Sequence, residues 1–273
     1  MNSINLIIGC GYLGQRLLPL LHKQDCWITR RSDNSLISNE KENTYQLIID
    51  INNEVSWKNI NALSEKRDVI IYLMVPPSKI DRVVFSEFIK RLNQLDIKRS
   101  IIISSTVVYG NTDRMVDADS EVIIDSERAE RQYQIEQDWL ENIKAGSVIR
   151  LAGLYGPERV IGRSGLLGNM VINGDPEGWL NLIHVDDAAQ LVKCISELDS
   201  PETIELGCDG NPIKRREYYS FLAEQLNQSP PLFSHDSNDR GTGRRCDNSI
   251  TISRSGWQPK HVDFRKAVSN LIK

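Results

Sequence analysis

Three glycines near the start of the chain have the spacing of a phosphate-binding turn. The segment Gly9-Cys10-Gly11-Tyr12-Leu13-Gly14 follows the apolar run Ile4–Ile8 and opens a predicted helix. In such a turn Gly9 permits the sharp change of direction, Gly11 lets the backbone approach a pyrophosphate, and Gly14 lets helix and strand pack closely. The pattern in this context predicts a dinucleotide site. A glycine-rich turn without a ligand is the alternative.

Two arginines lie where the second strand is expected to end. Arg30 and Arg31 follow the run 27–29, and the first carboxylate beyond them is Asp33. A carboxylate here would accept hydrogen bonds from a ribose 2′-hydroxyl, whereas guanidinium groups offer bidentate charge-assisted bonds to a 2′-phosphate. The sequence therefore favours NADP, with NAD as the alternative cofactor. Solvated surface arginines are the alternative interpretation of the pair.

The elements that must position these residues alternate in type along the first 150 residues. Short β-branched runs alternate with amphipathic stretches, which is typical of a parallel sheet covered by helices. The second helix is expected to place Val83, Val84, Phe88 and Leu92 on one buried stripe. The predicted strands are Ile4–Ile8, Trp27–Thr29, Gln46–Ile49, Val69–Val75, Ser100–Ile103 and Ser147–Leu151, and the predicted helices are Leu13–His22, Ile80–Leu95 and Arg128–Ile143.

After residue 156 the sequence becomes rich in glycine and in turns, with a helix expected at Val185–Leu198 and a strand at Thr203–Leu206. The predicted fold class is α/β, a Rossmann-type doubly wound parallel sheet with a small interleaved C-terminal lobe. We assign residues 1–155 and 185–206 to a dinucleotide-binding domain, and residues 156–184 and 207–273 to a small substrate-binding lobe. The pair Arg215-Arg216 opens a further helix and is expected to face solvent.

Composition excludes several other functions. The chain has 33 basic and 37 acidic residues, a net charge of −4, which argues against a partner that is a nucleic acid or an anionic membrane. Five scattered cysteines and four histidines show no ligand spacing, so no metal site is predicted. The first residues lack the basic region of a secretory signal and no apolar run could span a bilayer, so a cytoplasmic location is expected.

Further motifs occur in a fixed order along the whole chain. After the glycine turn come Asp50-Ile51, the residues 104–110 (SSTVVYG), 150–157 (RLAGLYGP), 181–187 (NLIHVDD) and 255–259 (SGWQP). Together these motifs resemble the extended short-chain dehydrogenase/reductases, which include NAD(P)-dependent nucleotide-sugar epimerases, dehydratases and reductases. The resemblance implies a small-molecule substrate of the nucleotide-sugar type, and a homodimer formed through the two helices that flank the fifth strand.

The resemblance also implies roles for individual residues. Asp50 and Ile51 would flank the adenine, Val75 and Pro76 would line the pocket for its ribose, and the segment Leu151-Ala152-Gly153 would border the nicotinamide. The hydroxyl of Ser105 would hydrogen-bond a substrate oxygen and orient the reacting carbon. A serine that caps backbone groups at the end of a strand is the alternative for Ser105.

One element of the family's pattern is missing. Family members use a Tyr with a Lys four residues later as general acid/base, and no such pair occurs in this sequence. If Glu136 matches a glutamate that the family has later on this helix, the tyrosine position is Arg128 and the lysine position is Gln132. Shifting the alignment by one residue places Ala129 and Tyr133 at these positions instead. Tyr133 is the nearest phenol and the candidate catalytic residue, with a packing role as the alternative.

Basic and acidic residues late in the chain suggest further contacts. Arg244 and Arg245 follow Arg240 in a glycine-rich stretch and are predicted to bind an anionic part of the substrate, the alternative being a solvated surface loop. The carboxylates of Asp186 and Asp187 are expected to satisfy N–H groups at the start of a helix, and His184 is expected to have a structural role.

The sequence thus favours an NAD(P)-binding protein that resembles NAD(P)-dependent epimerases/dehydratases, an NADP-dependent oxidoreductase or epimerase with an atypical active site. The alternative is a non-catalytic NADP(H)-binding redox sensor or regulator, and a third interpretation is a catalytically silent structural subunit.

Overall fold

The computed structural model describes residues 3–21, 23–31, 43–234 and 242–272. The chain forms two compact units that are interleaved in sequence. Unit 1 comprises Met1–Ser104, Arg131–Ile149 and Ala189–Glu205, and unit 2 comprises Ser105–Glu130, Arg150–Ala188 and Leu206–Lys273. The assignment of one part of the chain to the dinucleotide and the other to the substrate stays a prediction.

A seven-stranded parallel sheet forms the centre of unit 1, which confirms the predicted Rossmann-type fold class. Its spatial order is β12-β7-β5-β4-β1-β2-β3. In this order the chain leaves the middle of the sheet in one direction and then in the other, as in a doubly wound fold. The strands are β1 (Ile4–Ile8), β2 (Cys26–Arg30), β3 (Thr44–Ile48), β4 (Val69–Leu73), β5 (Ile97–Ser105), β7 (Gly146–Leu151) and β12 (Ile204–Gly207).

Burial along the strands explains their sequences. β1 pairs with β4 over five residues, from Ile4 opposite Val69 to Ile8 opposite Leu73, and every residue of both strands is buried. Strands covered on both faces need continuous apolar runs. β3 lies at the edge of the sheet, and its side chains are exposed or half-buried, so its sequence is more polar.

The larger helices around the sheet are α1 (Tyr12–Leu17), α2 (Arg82–Leu92), α3 (Glu127–Asn142) and α5 (Val185–Glu197). α1 is shorter than predicted because Pro19 has no N–H to continue the helical ladder, and a 3₁₀ turn at Leu18–Leu21 follows. His22, the predicted last residue of that helix, lies outside the described residues. α3 begins directly after Ser126, whose hydroxyl oxygen accepts a hydrogen bond from the N–H of Ala129 at 3.2 Å.

The predicted buried stripe of α2 is wrong at one position. Val83 is 84% exposed, whereas the buried residues are Phe85, Phe88, Ile89 and Leu92. At 3.6 residues per turn, Val83 lies about 140° around the helix from Phe88, so one stripe cannot contain both. The buried residues instead follow the spacing i, i+3, i+4, i+7.

Unit 2 is built from short elements. Its strands form two-stranded pairs: β8 with β11, β9 with β14 and β6 with β15 are parallel, and β10 with β13 is antiparallel. These strands are β6 (Met115–Val116), β8 (Gly153–Tyr155), β9 (Ile172–Asn173), β10 (Trp179–Leu180), β11 (Leu182–His184), β13 (Ile213–Lys214), β14 (Phe233–Ser234) and β15 (Arg245–Cys246), and its other helices are α4 (Arg163–Leu167), α6 (Arg215–Gln225), α7 (Ser249–Ser255) and α8 (Phe264–Ile272).

The core of unit 2 forms where α6 and α8 pack together around Tyr218, Leu222 and Phe264. The expectation that Arg215 and Arg216 both face solvent is wrong for Arg215, which is 5% exposed and donates from Nη1 to the carbonyl of Asp175 at 3.0 Å. Among the helices that the structure describes, none is long and apolar enough to cross a membrane.

The corrected face of α2 predicts unequal effects for two substitutions. We expect Phe88→Ala to lower the free energy of unfolding by about 3–5 kcal/mol, because Phe88 is fully buried and its removal leaves a cavity. Val83→Ala, in the exposed first turn of the same helix, should change it by less than about 0.5 kcal/mol. Urea unfolding measures both, and a cost for Val83→Ala close to that of Phe88→Ala would contradict this orientation of α2.

Candidate functional site

The predicted phosphate-binding turn connects β1 to α1 in unit 1. Gly9 has φ +82°, and its N–H donates to Oγ1 of Thr29 at 3.1 Å. A Cβ atom at Gly9 would lie 2.6 Å from Cγ2 of Val75, so only glycine fits here. A Cβ at Gly14 would lie 3.3 Å from both Ile7 and Cys10, which makes Gly14 a point of close helix–strand packing.

The middle glycine of the turn has different surroundings. The nearest atom to a Cβ at Gly11 would be the Gly9 carbonyl oxygen, 3.9 Å away, and Gly11 is exposed. Tyr12 beside it is half-buried, whereas Leu13 is buried against the sheet. The turn therefore presents bare backbone to solvent at Gly11, which is what close approach by a phosphate requires.

Arg30 ends β2 and is half-buried, and Arg31 beyond it is exposed. The N–H of Cys10, in the glycine turn, donates to the carbonyl of Thr29 at 3.4 Å, so the residue before Arg30 contacts that turn. Burial is the larger influence on Cys10 and raises the pKa of its thiol to about 11, against the opposing charge of Arg30. The thiol therefore stays protonated near neutral pH and is not a nucleophile. Asp33 lies outside the described residues.

The remaining predicted cofactor residues of unit 1 have mixed surroundings. Oδ1 of Asp50 accepts a hydrogen bond from the N–H of Asn52 at 3.0 Å, and Ile51 is buried in the core. Val75 is half-buried against Gly9, and Pro76 is exposed. The structure thus brings Val75 together with the glycine turn.

In unit 2, Ser105 is the last residue of β5 and is half-buried. Its Oγ accepts a hydrogen bond from the N–H of Val107 at 3.3 Å, as a capping serine does, and the hydroxyl proton remains available to a further acceptor. Leu151 and Ala152 are buried. Gly153 approaches the carbonyl of Asn181, which accepts its N–H at 3.0 Å and leaves little space for a side chain.

A buried polar cluster in unit 1 occupies the face of α3 to which the resemblance assigns the acid/base pair. Oγ of Ser104 donates to the carboxylate of Glu136, and Nε2 of Gln132 donates to the same Oγ at 2.9 Å. Glu136 is fully buried. Gln132, at the position counted for the lysine, is thus a neutral amide bound to Ser104. Tyr133 is half-buried and lies about 100° around α3 from Gln132.

The two late arginines take different partners within unit 2. Nη1 of Arg244 donates to the carbonyl of Thr106, next to Ser105. Burial lowers the pKa of the Arg244 guanidinium. Arg245 donates from Nη2 to the carbonyl of Asp113 at 3.0 Å and lies over the ring of Trp179. Only Arg244 thus lies beside a predicted catalytic residue, and Arg240 lies outside the described residues.

The structure adds a partly buried cluster that the sequence did not indicate. The ring of His184 stacks on that of His261 with centroids 3.8 Å apart, and the edge of Tyr155 packs against it. Oδ2 of Asp187 accepts the N–H of His261 at 2.8 Å and lies 3.0 Å from its Nδ1. The expectation that the Asp187 carboxylate caps α5 is therefore wrong, because this buried carboxylate instead anchors a segment 74 residues away.

The carboxyl group of Asp209, just after β12, has a raised pKa. Burial raises its pKa to about 7, and the charge of Asp187 contributes in the same direction. The N–H of Asn211 donates to Oδ1 at 2.9 Å, which partly opposes the shift. No local sequence signal marks this residue, since its burial follows from tertiary packing. Among the described residues, no group of three or more His, Cys, Asp or Glu side chains is arranged to hold a metal ion.

No protein-family model matches this sequence. Among curated proteins the chain is similar to Protein YeeZ of Escherichia coli (strain K12), with 30% identity over 171 residues. The match covers 61% of this chain, and the chain spans 60% of the length of the curated relatives it matches.

Several solved structures have a similar fold. MoeE5 in complex with UDP-glucose and NAD has a TM-score of 0.82 at 17% identity, covering 99% of this chain and 97% of that chain. The UDP-glucuronic acid 4-epimerase from Bacillus cereus in complex with NAD has a TM-score of 0.76 at 16% identity, covering 98% of each. UDP-glucose 4-epimerase from Thermotoga maritima with UDP-glucose has 0.75 at 17%, covering 98% and 97%. The chain therefore has the fold of NAD-dependent UDP-sugar epimerases, as its motifs implied.

The raised pKa of Asp209 predicts how stability depends on pH. Because the folded state holds a proton that the unfolded chain releases near pH 3.8, this contribution to stability is complete below about pH 4. It is lost as the pH rises through about 7. The two pKa values correspond to roughly 4 kcal/mol at most.

We expect Asp209→Asn to flatten the dependence of the free energy of unfolding between pH 4 and 7, and to be more stable than the parent above pH 7. The exposed Glu202→Gln is the matched control and should follow the parent. Urea unfolding at pH 5, 6, 7 and 8 provides the measurement. A parallel pH profile for Asp209→Asn and the parent would show that Asp209 ionises normally.

Proposed function

We propose that this protein is an NADP-dependent oxidoreductase or epimerase that acts on a nucleotide-sugar-like substrate. The observation that carries the proposal is the turn after β1. Gly9 leaves no room for a side chain and Gly14 lies in tight contact with Ile7 and Cys10, while Gly11 exposes bare backbone. The fold supports the same proposal, because MoeE5 and the epimerases with this fold are described with NAD or with UDP-sugars.

The residues of the turn fit a dinucleotide. Gly9, Gly11 and Gly14, with Cys10, Tyr12 and Leu13 between them, would hold the pyrophosphate. Val75 and Pro76 would line the adenine ribose pocket, Asp50 and Ile51 would flank the adenine, and Leu151, Ala152 and Gly153 would border the nicotinamide. When bound, the nicotinamide supplies a carbon that accepts or donates a hydride.

Arg30 and Arg31 support a preference for NADP over NAD. Arg30 follows Thr29, whose carbonyl accepts the N–H of Cys10 in the glycine turn. The Nε of Arg30 is shielded from solvent without a hydrogen-bond partner among the described residues. A buried donor of this kind gains from an acceptor such as a 2′-phosphate.

On the substrate side, Ser105 and Arg244 would act together. The hydroxyl of Ser105 would donate to the reacting oxygen and orient its carbon for hydride transfer. Arg244 lies beside Ser105, because its guanidinium donates to the carbonyl of the next residue, Thr106. It would bind an anionic part of the substrate. Arg245 lies over the ring of Trp179 and would contribute positive charge near the substrate.

The second candidate function is a non-catalytic NADP(H)-binding sensor or regulator. The cluster of Ser104, Gln132 and Glu136 favours it, because the lysine position holds an amide that cannot lower the pKa of a phenol. Tyr133 as the proton carrier would have to act without that ammonium. The two functions share the cofactor site and differ in turnover.

Cofactor preference tests the roles of Arg30 and Arg31. We expect the parent to bind NADPH more tightly than NADH. The double change Arg30→Gln and Arg31→Gln should weaken NADPH binding by about tenfold to a hundredfold and change NADH binding by less than about threefold, because only NADPH carries the 2′-phosphate. Fluorescence titration gives both dissociation constants, with the exposed Lys58→Gln as the control for charge. Tighter binding of NADH by the parent would exclude the NADP preference.

Turnover separates the enzyme from the sensor. With NADPH and a panel of keto-sugar nucleotides, we expect absorbance loss at 340 nm if the reaction is a net reduction. With NADP and UDP-sugars, formation of the epimer followed by chromatography detects a reaction that regenerates its cofactor. In either assay kcat should be about a hundredfold lower in Ser105→Ala, because an oriented donor to the reacting oxygen is lost. Ser164→Ala, on the exposed face of α4, should behave as the parent. Tight NADPH binding without turnover on any substrate would instead support the sensor.

A further inference from the structure

The strand β3 forms one edge of the sheet of unit 1, and alternate residues of this strand point their backbone groups away from the sheet. The N–H of Cys26 donates to the carbonyl of Asn43 at 2.9 Å, and the N–H of Ile49 donates to the carbonyl of Arg30 at 2.8 Å. Residues 43 and 49 therefore face β2. In a parallel pair only every second residue of a strand bonds to its neighbour, so the residues between them alternate in direction. The outward residues of β3 are Thr44, Gln46 and Ile48.

The outward backbone groups of β3 have one hydrogen-bond partner among the described residues. The carbonyl of Ile48 accepts a hydrogen bond from Nδ2 of Asn59 at 2.7 Å. The N–H groups and carbonyls of Thr44 and Gln46 and the N–H of Ile48 have no such partner. The side chain of Gln46 is exposed, and Tyr45 and Ile48 beside it are 43% and 38% exposed. This edge therefore offers donors and acceptors to solvent or to another strand.

The opposite edge of the sheet, at β12, is closed by comparison. Residues Glu205 to Gly207 of this strand are buried. The carbonyl of Gly207 accepts the N–H of Ala152 at 2.9 Å, so Gly207 faces the neighbouring strand and Leu206 faces away from it. The N–H of Leu206 donates to Oγ1 of Thr251 at 3.0 Å. A side-chain hydroxyl thus takes the outward donor of β12, whereas the corresponding donors of β3 stay free.

The sequence of β3 lacks the features that usually prevent edge strands from pairing with other chains. Such strands are commonly protected by a lysine, a proline or a β-bulge. β3 has the sequence Thr-Tyr-Gln-Leu-Ile, without charge or proline, and it pairs with β2 in unbroken register over all five residues. The strand is therefore regular, uncharged and half-apolar, which favours addition of a further strand.

We propose that β3 is the surface through which two copies of this chain associate, with the two β3 strands antiparallel and Gln46 of each copy at the twofold axis. The outward residues lie symmetrically about Gln46, so each of them meets an outward residue of the other copy. Gln46 pairs with Gln46 of the second copy, and Thr44 pairs with Ile48 of the second copy. A twofold contact places the same surface on both chains, and an uncharged strand brings no like charges together there.

The side chains on the two faces of β3 fit this arrangement. The ring of Tyr45 stacks on that of Trp27 in β2, with centroids 4.7 Å apart. Antiparallel pairing about Gln46 brings Leu47 of the second copy opposite Tyr45, which extends this apolar face across the two chains. The bond from Asn59 leaves room for a strand, because the carbonyl of Ile48 has a second lone pair. The contact is distinct from the dimer through the helices beside the fifth strand that the family resemblance implies.

The test measures self-association of the full chain by sedimentation over a range of concentrations. We expect the parent to form dimers as its concentration rises. Gln46→Lys and Gln46→Glu each place two like charges at the twofold axis and should each weaken the association about tenfold or more. An equimolar mixture of the two variants should associate again, because lysine then faces glutamate, and this recovery also shows that both variants are folded. Val83→Lys and Val83→Glu, at an exposed position of α2, are the matched controls and should associate as the parent does.

Three outcomes of this experiment overturn the proposal. The first is a parent that stays monomeric over the whole range of concentrations. The second is a mixture of Gln46→Lys and Gln46→Glu that associates no better than either variant alone. The third is association that responds to the changes at Val83 and not to those at Gln46, which would indicate a dimer through the helices.

Hydrogen exchange of single backbone amides locates the contact independently. The N–H groups of Tyr45 and Leu47 face β2 and should exchange slowly at every concentration. The outward N–H groups of Thr44, Gln46 and Ile48 should exchange quickly in the monomer and at least about tenfold more slowly in the dimer, because they then donate to the second copy. Unchanged exchange at Gln46 in a sample that sediments as a dimer would place the contact elsewhere and overturn the proposal.

Discussion

The close approach of Gly9 to Val75 is the constraint on which the centre of the structure depends. β1 and β4 pair over five buried residues, and the chain must leave β1 at a point where β4 ends directly beside it. A side chain at Gly9 would overlap Cγ2 of Val75 and would have to adopt a left-handed backbone conformation. The sheet itself therefore requires glycine here, before any ligand is considered. The same requirement leaves the surface of the turn without side chains, and bare backbone is what a phosphate needs.

The sequence predicted the fold well where a single physical cause determines the pattern. β1 was predicted with its observed bounds because a strand covered on both faces must be apolar throughout. The stripe of α2 was wrong at Val83 because hydrophobicity shows that a helix has a buried side but does not fix which apolar residues lie on it. The prediction that Arg215 faces solvent was wrong for a related reason, since its burial depends on a carbonyl that tertiary packing supplies.

In the candidate site, too, local features could be predicted from the sequence and contacts between distant residues could not. The signal of the glycine turn is local, since it lies in six consecutive residues, although the contact with Val75 also requires glycine at position 9. The contact between Arg244 and Thr106 joins residues 138 apart, and that between Gln132 and Ser104 joins residues 28 apart. Neither spacing carries a periodic signal, and a sequence motif can name the participants without showing which partner each one takes. The raised pKa of Asp209 belongs to this second class as well, because burial is its main cause.

The buried cluster on α3 limits the chemistry that this chain can perform. A phenol ionises near neutral pH only when a neighbouring positive charge stabilises the phenolate, and Gln132 supplies no charge. Glu136 on the same face is fully buried and holds Ser104. In the proposed function this helix face would therefore not transfer protons as a Tyr-Lys pair does. In the proposed reaction Ser105 would orient the substrate oxygen for hydride transfer, and solvent would supply or accept the accompanying proton. Such an orientation of the substrate would make binding geometry a main contribution of this protein to its proposed reaction.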